Sequence, residues 1–350
     1  MADLNSDWSW FTDQGPEQDV VMSSRVRLAR NVVGYAFPGF MSDRERAELE
    51  GSIAEFFEDR DGEFTGFDTG AAGYRDLLVE RNFFPAEAME ATGALYLRDD
   101  QRLAVQVDNL DHLRIVSYRG GLDLRGALAD ADEMDDGLED EFPFSVSLEW
   151  GYLTARLDDL GTGLRASTMV HLPALRRMGL LEEALGSVWK EGFSVRGFAL
   201  DGAESLGDVY QLVSRQTLGI GEAELLEKLE RATMQLVNYE RHVRESLKDS
   251  RKGETEDAVY RAMGILSYSR CLTRTEAFRL LSWLRLGVAL GLAQEITLAQ
   301  ATSLFFLTQR SHVVHSLKGS GMDDTQENED EQRAVLLRRY LESNADSGRI

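Results

Sequence analysis

The sequence predicts an α+β protein: an antiparallel sheet flanked by helices, followed by an all-helical C-terminal region. Three observations predict it. Residues 93–116 hold three short strand-like runs in close succession. Ser42 to Glu45 and Thr273 to Glu276 are Ser/Thr-x-x-Glu capping boxes, each opening a helix. After Gly221 the apolar residues fall at helical spacing.

Taken in order, the first capping box starts a helix expected to reach about Phe57. The strand-like runs follow at 93–97, 103–107 and 113–116. Residues 130–141 carry eight carboxylates in twelve positions and read as a solvated helix face and turn. Alternation returns around 144–153 and 168–172, as expected for further antiparallel strands. Residues 1–221 therefore read as one mixed unit. Beyond it, Leu225, Leu229, Ala232, Leu236, Tyr239 and Val243 mark one face of a helix broken at Lys252-Gly253-Glu254. Thr273 caps a helix to about Gly287, and 297–308 and 331–342 also read as helical. Residues 222–342 thus form a helical domain, with a flexible link at 319–332 and a frayed tail at 343–350. No internal repeat and no heptad run of coiled-coil length is present.

Composition narrows the function classes. The 350 residues carry 38 Lys+Arg against 61 Asp+Glu, a net charge of −23, which argues against nucleic-acid binding because no basic excess faces the phosphates. The single cysteine, Cys271, rules out an internal disulfide framework or a Cys-based zinc site, and is expected as a small core residue. No apolar run approaches the ~18 residues of a membrane helix. The N-terminus is acidic and unlike a signal peptide, so a cytoplasmic protein without a membrane partner is expected.

No Gly-Lys-Ser/Thr phosphate loop and no His-Glu-x-x-His occur, and His312 and His315 read as ordinary helical histidines. Arginine placement is more informative. Only five basic residues are Lys, which base composition can explain. Yet arginines recur inside apolar or small-residue segments: Arg25 and Arg27 in Ser23-Ser24-Arg25-Val26-Arg27, Arg114 within a strand, Arg165 after a Gly-rich turn, and Arg196 before Gly197. Arg25 and Arg27, two apart, share a face if extended. Each could be a salt bridge to one of many acids. Together they suggest a polyanion cradle of guanidinium forks, suited to a nucleotide triphosphate with Mg²⁺.

These segments resemble the bacterial protein-arginine kinases of the McsB type, in the ATP:guanido phosphotransferase (phosphagen kinase) family. The resemblance rests on Gly15-Pro16-Glu17 with 20–31, Leu78 to Asn82, Gly151 to Thr154, Gly161 to Ser167, His171 to Leu175, Arg196-Gly197, and Gln216 to Gly219. Ser267, Arg270 and Leu284 to Gly287 resemble the helical domain that the protein kinases have and the metabolite kinases lack. The resemblance implies a guanido-kinase-like catalytic domain that binds ATP and Mg²⁺. The family's five phosphate-binding arginines match Arg25, Arg27, Arg114, Arg165 and Arg196. Ser23, Ser24, Val26, Ala166, Ser167, Thr168, Met169 and Gly197 flank them as nucleotide-site positions. No metal ligand of the protein's own is implied. The helical domain would form a homodimer or dock an adaptor of zinc-finger type, and the acceptor would be a protein substrate.

The acceptor side departs from the family. Its Asn-Glu-Glu-Asp-His reads here Asp108-Asn109-Leu110-Asp111-His112, so Asn109 replaces the carboxylate that would hold and deprotonate the substrate guanidinium. The catalytic-loop Cys falls on Arg156. One acid, Asp201, stands near the position of a family Glu. Losing a proton acceptor costs about 10²–10⁴ in rate, and Arg156 repels a cationic acceptor. The family's phosphoarginine pocket, Arg-Asp-x-x-Arg-Ala, reads Glu329-Asp330-Glu331-Gln332-Arg333-Ala334, with one charge reversed. Three functions are compatible with this pattern: a nucleotide-binding pseudokinase with a regulatory role, an active phosphotransferase using Asp201 with Asp158 or Asp159, or a scaffold that binds no nucleotide.

Overall fold

A computed structural model of the protein describes residues 10–66, 74–84, 93–198, 205–320 and 325–347. At its centre is an eight-stranded sheet in the order β2-β3-β4-β5-β1-β8-β10-β9. The strands are β1 Val21–Arg30, β2 Gly62–Gly66, β3 Ala94–Arg98, β4 Leu103–Val107, β5 Leu113–Gly120, β8 Leu164–His171, β9 Ser194–Gly197 and β10 Val209–Val213. Every neighbouring pair is antiparallel. The alternation expected at 144–153 yields only the two-residue strands β6 Val146–Ser147 and β7 Gly151–Tyr152, a separate pair.

Period-two alternation splits the strands between two cores. Ala94, Tyr96, Leu113, Ile115, Val26 and Leu28 face the first; Leu95, Leu97, Val116 and Tyr118 face the second. The first face is covered by α1 Asp43–Phe57, α3 Leu124–Glu139, α5 Leu181–Lys190 and α6 Glu222–Ser250. Helix α1 begins as its sequence predicts: Ser42 Oγ accepts from Glu45 N, and the Glu45 carboxylate accepts from Ser42 N.

The second face packs on Trp10, Phe11, α2 Tyr74–Glu80 and the helical region α7 Lys252–Tyr268, α8 Arg274–Ala289, α9 Leu298–Leu307 and α11 Gln326–Ser347, with α10 Arg310–Ser320 beside α2. Trp10 stacks on Tyr118, with centroids 4.5 Å apart. Thr273 caps α8, accepting from Glu276 N, without the reciprocal bond of the full box.

Several expectations need correction. The chain turns helical after Gly221, yet α6 buries Leu225, Leu229, Leu236 and Leu247 in the sheet's first core. Helical periodicity reveals an apolar face but not what it covers. The link expected at 319–332 is helical from Gln326, where α11 buries Glu329 and Asp330, and the same helix continues through the tail to Ser347. Cys271 is exposed rather than in the core. The carboxylates of 130–139 lie along α3 and Asp140 and Glu141 follow its end, but Asp135 is buried on Arg30 at 2.7 Å.

Two buried polar clusters join the helical region to the sheet. Arg285 on α8 donates to Gln18 O (2.6 Å), Asp19 O (3.1 Å), Thr302 Oγ1 (3.0 Å) and His171 Nδ1 (3.0 Å). Burial, then the Arg285 charge, holds His171 well below its usual value. The neutral ring accepts at Nδ1 and donates from Nε2 to Ser282 Oγ (3.0 Å), which donates to Asp208 (2.5 Å). The second cluster sets Glu80 of α2 at the start of α10, where it accepts from Ser311 N (2.8 Å) and His312 N (3.3 Å).

Candidate active site

Strand register gathers four of the sequence-marked arginines on the second face. Arg27 of β1 lies directly opposite Arg165 of β8, and Arg25 sits between Tyr118 of β5 and Ser167 of β8. Arg114 occupies the same face of β5, two residues from Val116, the partner of Arg27. Gly163 lets β8 begin here: its φ is +67°, and a Cβ would lie 2.7 Å from Ala29 O. Arg196, exposed on β9, pairs in register with Gln211 of β10, whose amide donates to Ser167 Oγ (3.1 Å).

The flanking positions divide by face. Ser23, Ser167 and Met169 share the arginine face by register, whereas Gly197, opposite Tyr210, lies on the other face. Ser24, Val26, Ala166 and Thr168 point the other way. Ser24 accepts from Asp123 N, Thr168 meets Thr233 of α6 at 2.9 Å, and Val26 and Ala166 are in the first core. Period two forces this: consecutive residues of one strand point to opposite faces and cannot all line one site.

Two buried aspartates hold the arginines. Asp111 accepts at Oδ2 from Arg114 Nε (3.0 Å), and at Oδ1 from Asn31 Nδ2 (2.9 Å) and Ala155 N (2.7 Å). Asp159, at the end of the short turn Leu157–Asp159, places Oδ1 2.6 Å from Arg27 Nη2 and 3.0 Å from Arg165 Nη2. Its other oxygen lies 3.6 Å from Arg114 Nη2. Burial, and next the Arg114 charge, pulls the Arg27 guanidinium down to about 9, with Asp159 opposing them. Arg114 Nη2 lies 2.9 Å from Asp111 Oδ2, while Arg25 Nε, Arg27 Nε and Arg165 Nε are buried without hydrogen-bond partners. Buried donors of this kind are rare and unfavourable, and a phosphate chain, acceptor-only and multiply charged, would satisfy them. The residues present therefore fit the triphosphate of ATP. Among the described residues no group of three or more His, Cys, Asp or Glu is gathered for a metal.

The acceptor side is built differently. Residues 108–112 form a tight turn in which Asp108 N donates to His112 O and Asn109 N to Asp111 O. Asp108 is buried against Arg46 of α1, and Asp111 is committed as above. Burial keeps His112 below its usual value; its Nδ1 accepts from Val32 N (2.9 Å) and its Nε2 faces Ala36 O (2.7 Å). Asn109 keeps a buried Nδ2 without a partner, and Leu110 is exposed. Arg156 and Asp158 face solvent and approach each other at 3.4 Å. Asp159, expected as a spare acid for a cationic acceptor, instead lies among arginines. Asp201 lies outside the described residues. Asp111 and Asp159 were not singled out from sequence as arginine partners; for Asp111 the i,i+3 spacing to Arg114 was the available signal.

The Asp330–Arg333 pair is internal to the helical region. Arg333 donates to Asp330 (2.5 Å), Leu272 O (2.8 Å) and Thr308 O (2.9 Å), while Glu329 takes Arg310 at 2.9 Å. The cluster ties α11 to the start of α8 and the end of α9.

Residues 48–243 match the family "ATP:guanido phosphotransferase, C-terminal catalytic domain", and 252–349 match "Protein-arginine kinase McsB C-terminal domain". The protein-arginine kinase of Halothermothrix orenii is 34% identical over 338 residues, 95% of this chain and 96% of that one. That of Desulforamulus reducens is 35% identical over 343 residues, 95% of each chain. Among solved structures, the substrate-free duplicated taurocyamine kinase from Schistosoma mansoni shares the fold, with a TM-score of 0.57 and 24% identity. The match covers 69% of this chain and only 37% of that longer one.

Proposed function

The chain belongs to the ATP:guanido phosphotransferase family, in its protein-arginine kinase branch, and from that membership we propose a nucleotide-binding protein whose phosphate cradle is kept and whose acceptor side is impaired. Arg25, Arg27, Arg114, Arg165 and Arg196 would hold the phosphates of Mg·ATP, which brings the transferable phosphoryl group. One observation carries the reading. Four guanidiniums converge on one sheet face with unsatisfied buried donors, while the turn meant to receive a guanidinium offers Asn109 and Leu110. A guanidinium must lose a proton to attack phosphorus, and an amide does not accept it. The role that follows is regulatory, in the cytoplasm, with the helical region as the surface for a second copy or an adaptor protein.

A second reading is an active kinase with a rearranged acceptor site. It is favoured by relatives named protein-arginine kinase at about a third identity over their full length. The test is incubation with Mg·ATP and an arginine-rich protein, assayed for acid-labile phosphate on arginine. The pseudokinase reading expects none above a buffer control. Stoichiometric phosphoarginine would replace it with the active reading.

A further inference from the structure

Asp159 is a buried carboxylate inside a cationic seat, and it fills that seat incompletely. One oxygen serves both Arg27 (2.6 Å) and Arg165 (3.0 Å). The other makes no hydrogen bond; Arg114 Nη2, 3.6 Å from it, is already paired with Asp111 Oδ2 at 2.9 Å. A planar carboxylate brings one charge and two oxygens to three guanidiniums. A terminal phosphate brings more charge and three oxygens tetrahedrally disposed. The two anions cannot share the same Nη donors: placed side by side, they would repel.

The turn bearing Asp159 is suited to yield. Leu157 is 84% exposed, and Arg156 and Asp158 are exposed beside it. The turn is held from below by Thr217, whose hydroxyl bonds Asp158 O (2.9 Å) and Leu160 O (2.7 Å). Asp159 N bonds Arg156 O at 3.0 Å within the turn.

Resting on the ATP reading above, we propose that Asp159 is the resident counter-anion of the cradle and sets its affinity for polyphosphate. Nucleotide binds by displacing the Asp159 carboxylate from Arg27 and Arg165, so the binding-competent state is only a fraction of the free protein. Apparent affinity is reduced by that fraction. Removing the charge while keeping the shape therefore tightens binding.

The experiment compares the wild-type chain with Asp159→Asn by calorimetric titration with Mg·ATP and with inorganic tripolyphosphate. The expected result is binding at least about tenfold tighter in Asp159→Asn for both ligands. Equal or weaker binding by a folded Asp159→Asn, with wild type binding, overturns this inference and leaves the cradle standing. Binding by neither protein overturns both. Should the variant fail to fold, hydrogen exchange on the wild type decides. The amides of Asp159 and Leu160 should exchange faster when ATP is bound, and unchanged or slower exchange overturns the displacement.

Discussion

Replacing Arg285 by methionine tests how the helical region holds the strand that carries the cradle. Arg285 is fully buried and gives hydrogen bonds to Gln18 O, Asp19 O, Thr302 Oγ1 and His171 Nδ1. Gln18 and Asp19 lead directly into β1, which presents Arg25 and Arg27. Methionine keeps much of the length and all of the apolar stem but none of the donors. Each buried acceptor left unpaired costs about 1 kcal/mol or more. Of the two backbone carbonyls, Asp19 O keeps Arg244 Nη2 at 3.0 Å, while Gln18 O loses the donor at 2.6 Å. Against this, the charge itself is buried at a cost: burial, then Arg244, pulls its guanidinium down to about 9, although Asp19 and Glu240 favour the charge. Removing it returns part of that cost, so the net loss should be about 3 kcal/mol, within the range for breaking one side of a buried ionic cluster. Arg285→Lys keeps the charge with fewer well-placed donors and should lose about half as much. Urea unfolding followed by tryptophan fluorescence reads both. A shift below about 1 kcal/mol for Arg285→Met would show that the cluster contributes little, and that β1 is positioned by the sheet alone.

Two further outcomes are expected. Burial pushes the Asp135 carboxyl up to about 6 from 3.8, with Arg30 drawing it back. A carboxyl raised in the folded state contributes stability that is complete below about pH 4 and lost as pH rises through about 6. The stability of wild type relative to Asp135→Asn should therefore fall by about 2–3 kcal/mol between pH 4 and pH 7, and a flat difference would contradict it. On the acceptor side, the combined change Asn109→Glu, Leu110→Glu and Arg156→Cys restores carboxylates and removes the repelling charge. Phosphoarginine formation should rise by about 10²-fold or more. No rise, with ATP binding intact, would mean that the acceptor side is lost for another reason.

Much of the fold was legible because its signals are local. Ser42 with Glu45, the alternation of β3 and β5, and the helical spacing after Gly221 each depend on a few neighbouring residues. The shared face of Arg25 and Arg27 was legible because two-residue spacing puts them together whatever lies beside them. Among the flanking positions, Ser24, Val26, Ala166 and Thr168 obey the same alternation and turn their side chains to the first-core face, away from the arginines. The attachment of α6 to the sheet and the burial of Asp159 were not legible. Both depend on what packs against a segment, and Asp159 follows the exposed run 155–158 in a turn that reads as surface. The internal role of Arg333 was not legible either: it ties α11 to carbonyls of Leu272 and Thr308, which no local spacing signals.

The central claim is that the arginine face of β1, β5 and β8 binds the phosphates of ATP. Calorimetric titration of the wild-type protein with Mg·ATP, beside Arg165→Ala, tests it most directly. Saturable binding by wild type that Arg165→Ala abolishes is the predicted result. No binding by wild type, or equal binding by both proteins, would contradict it.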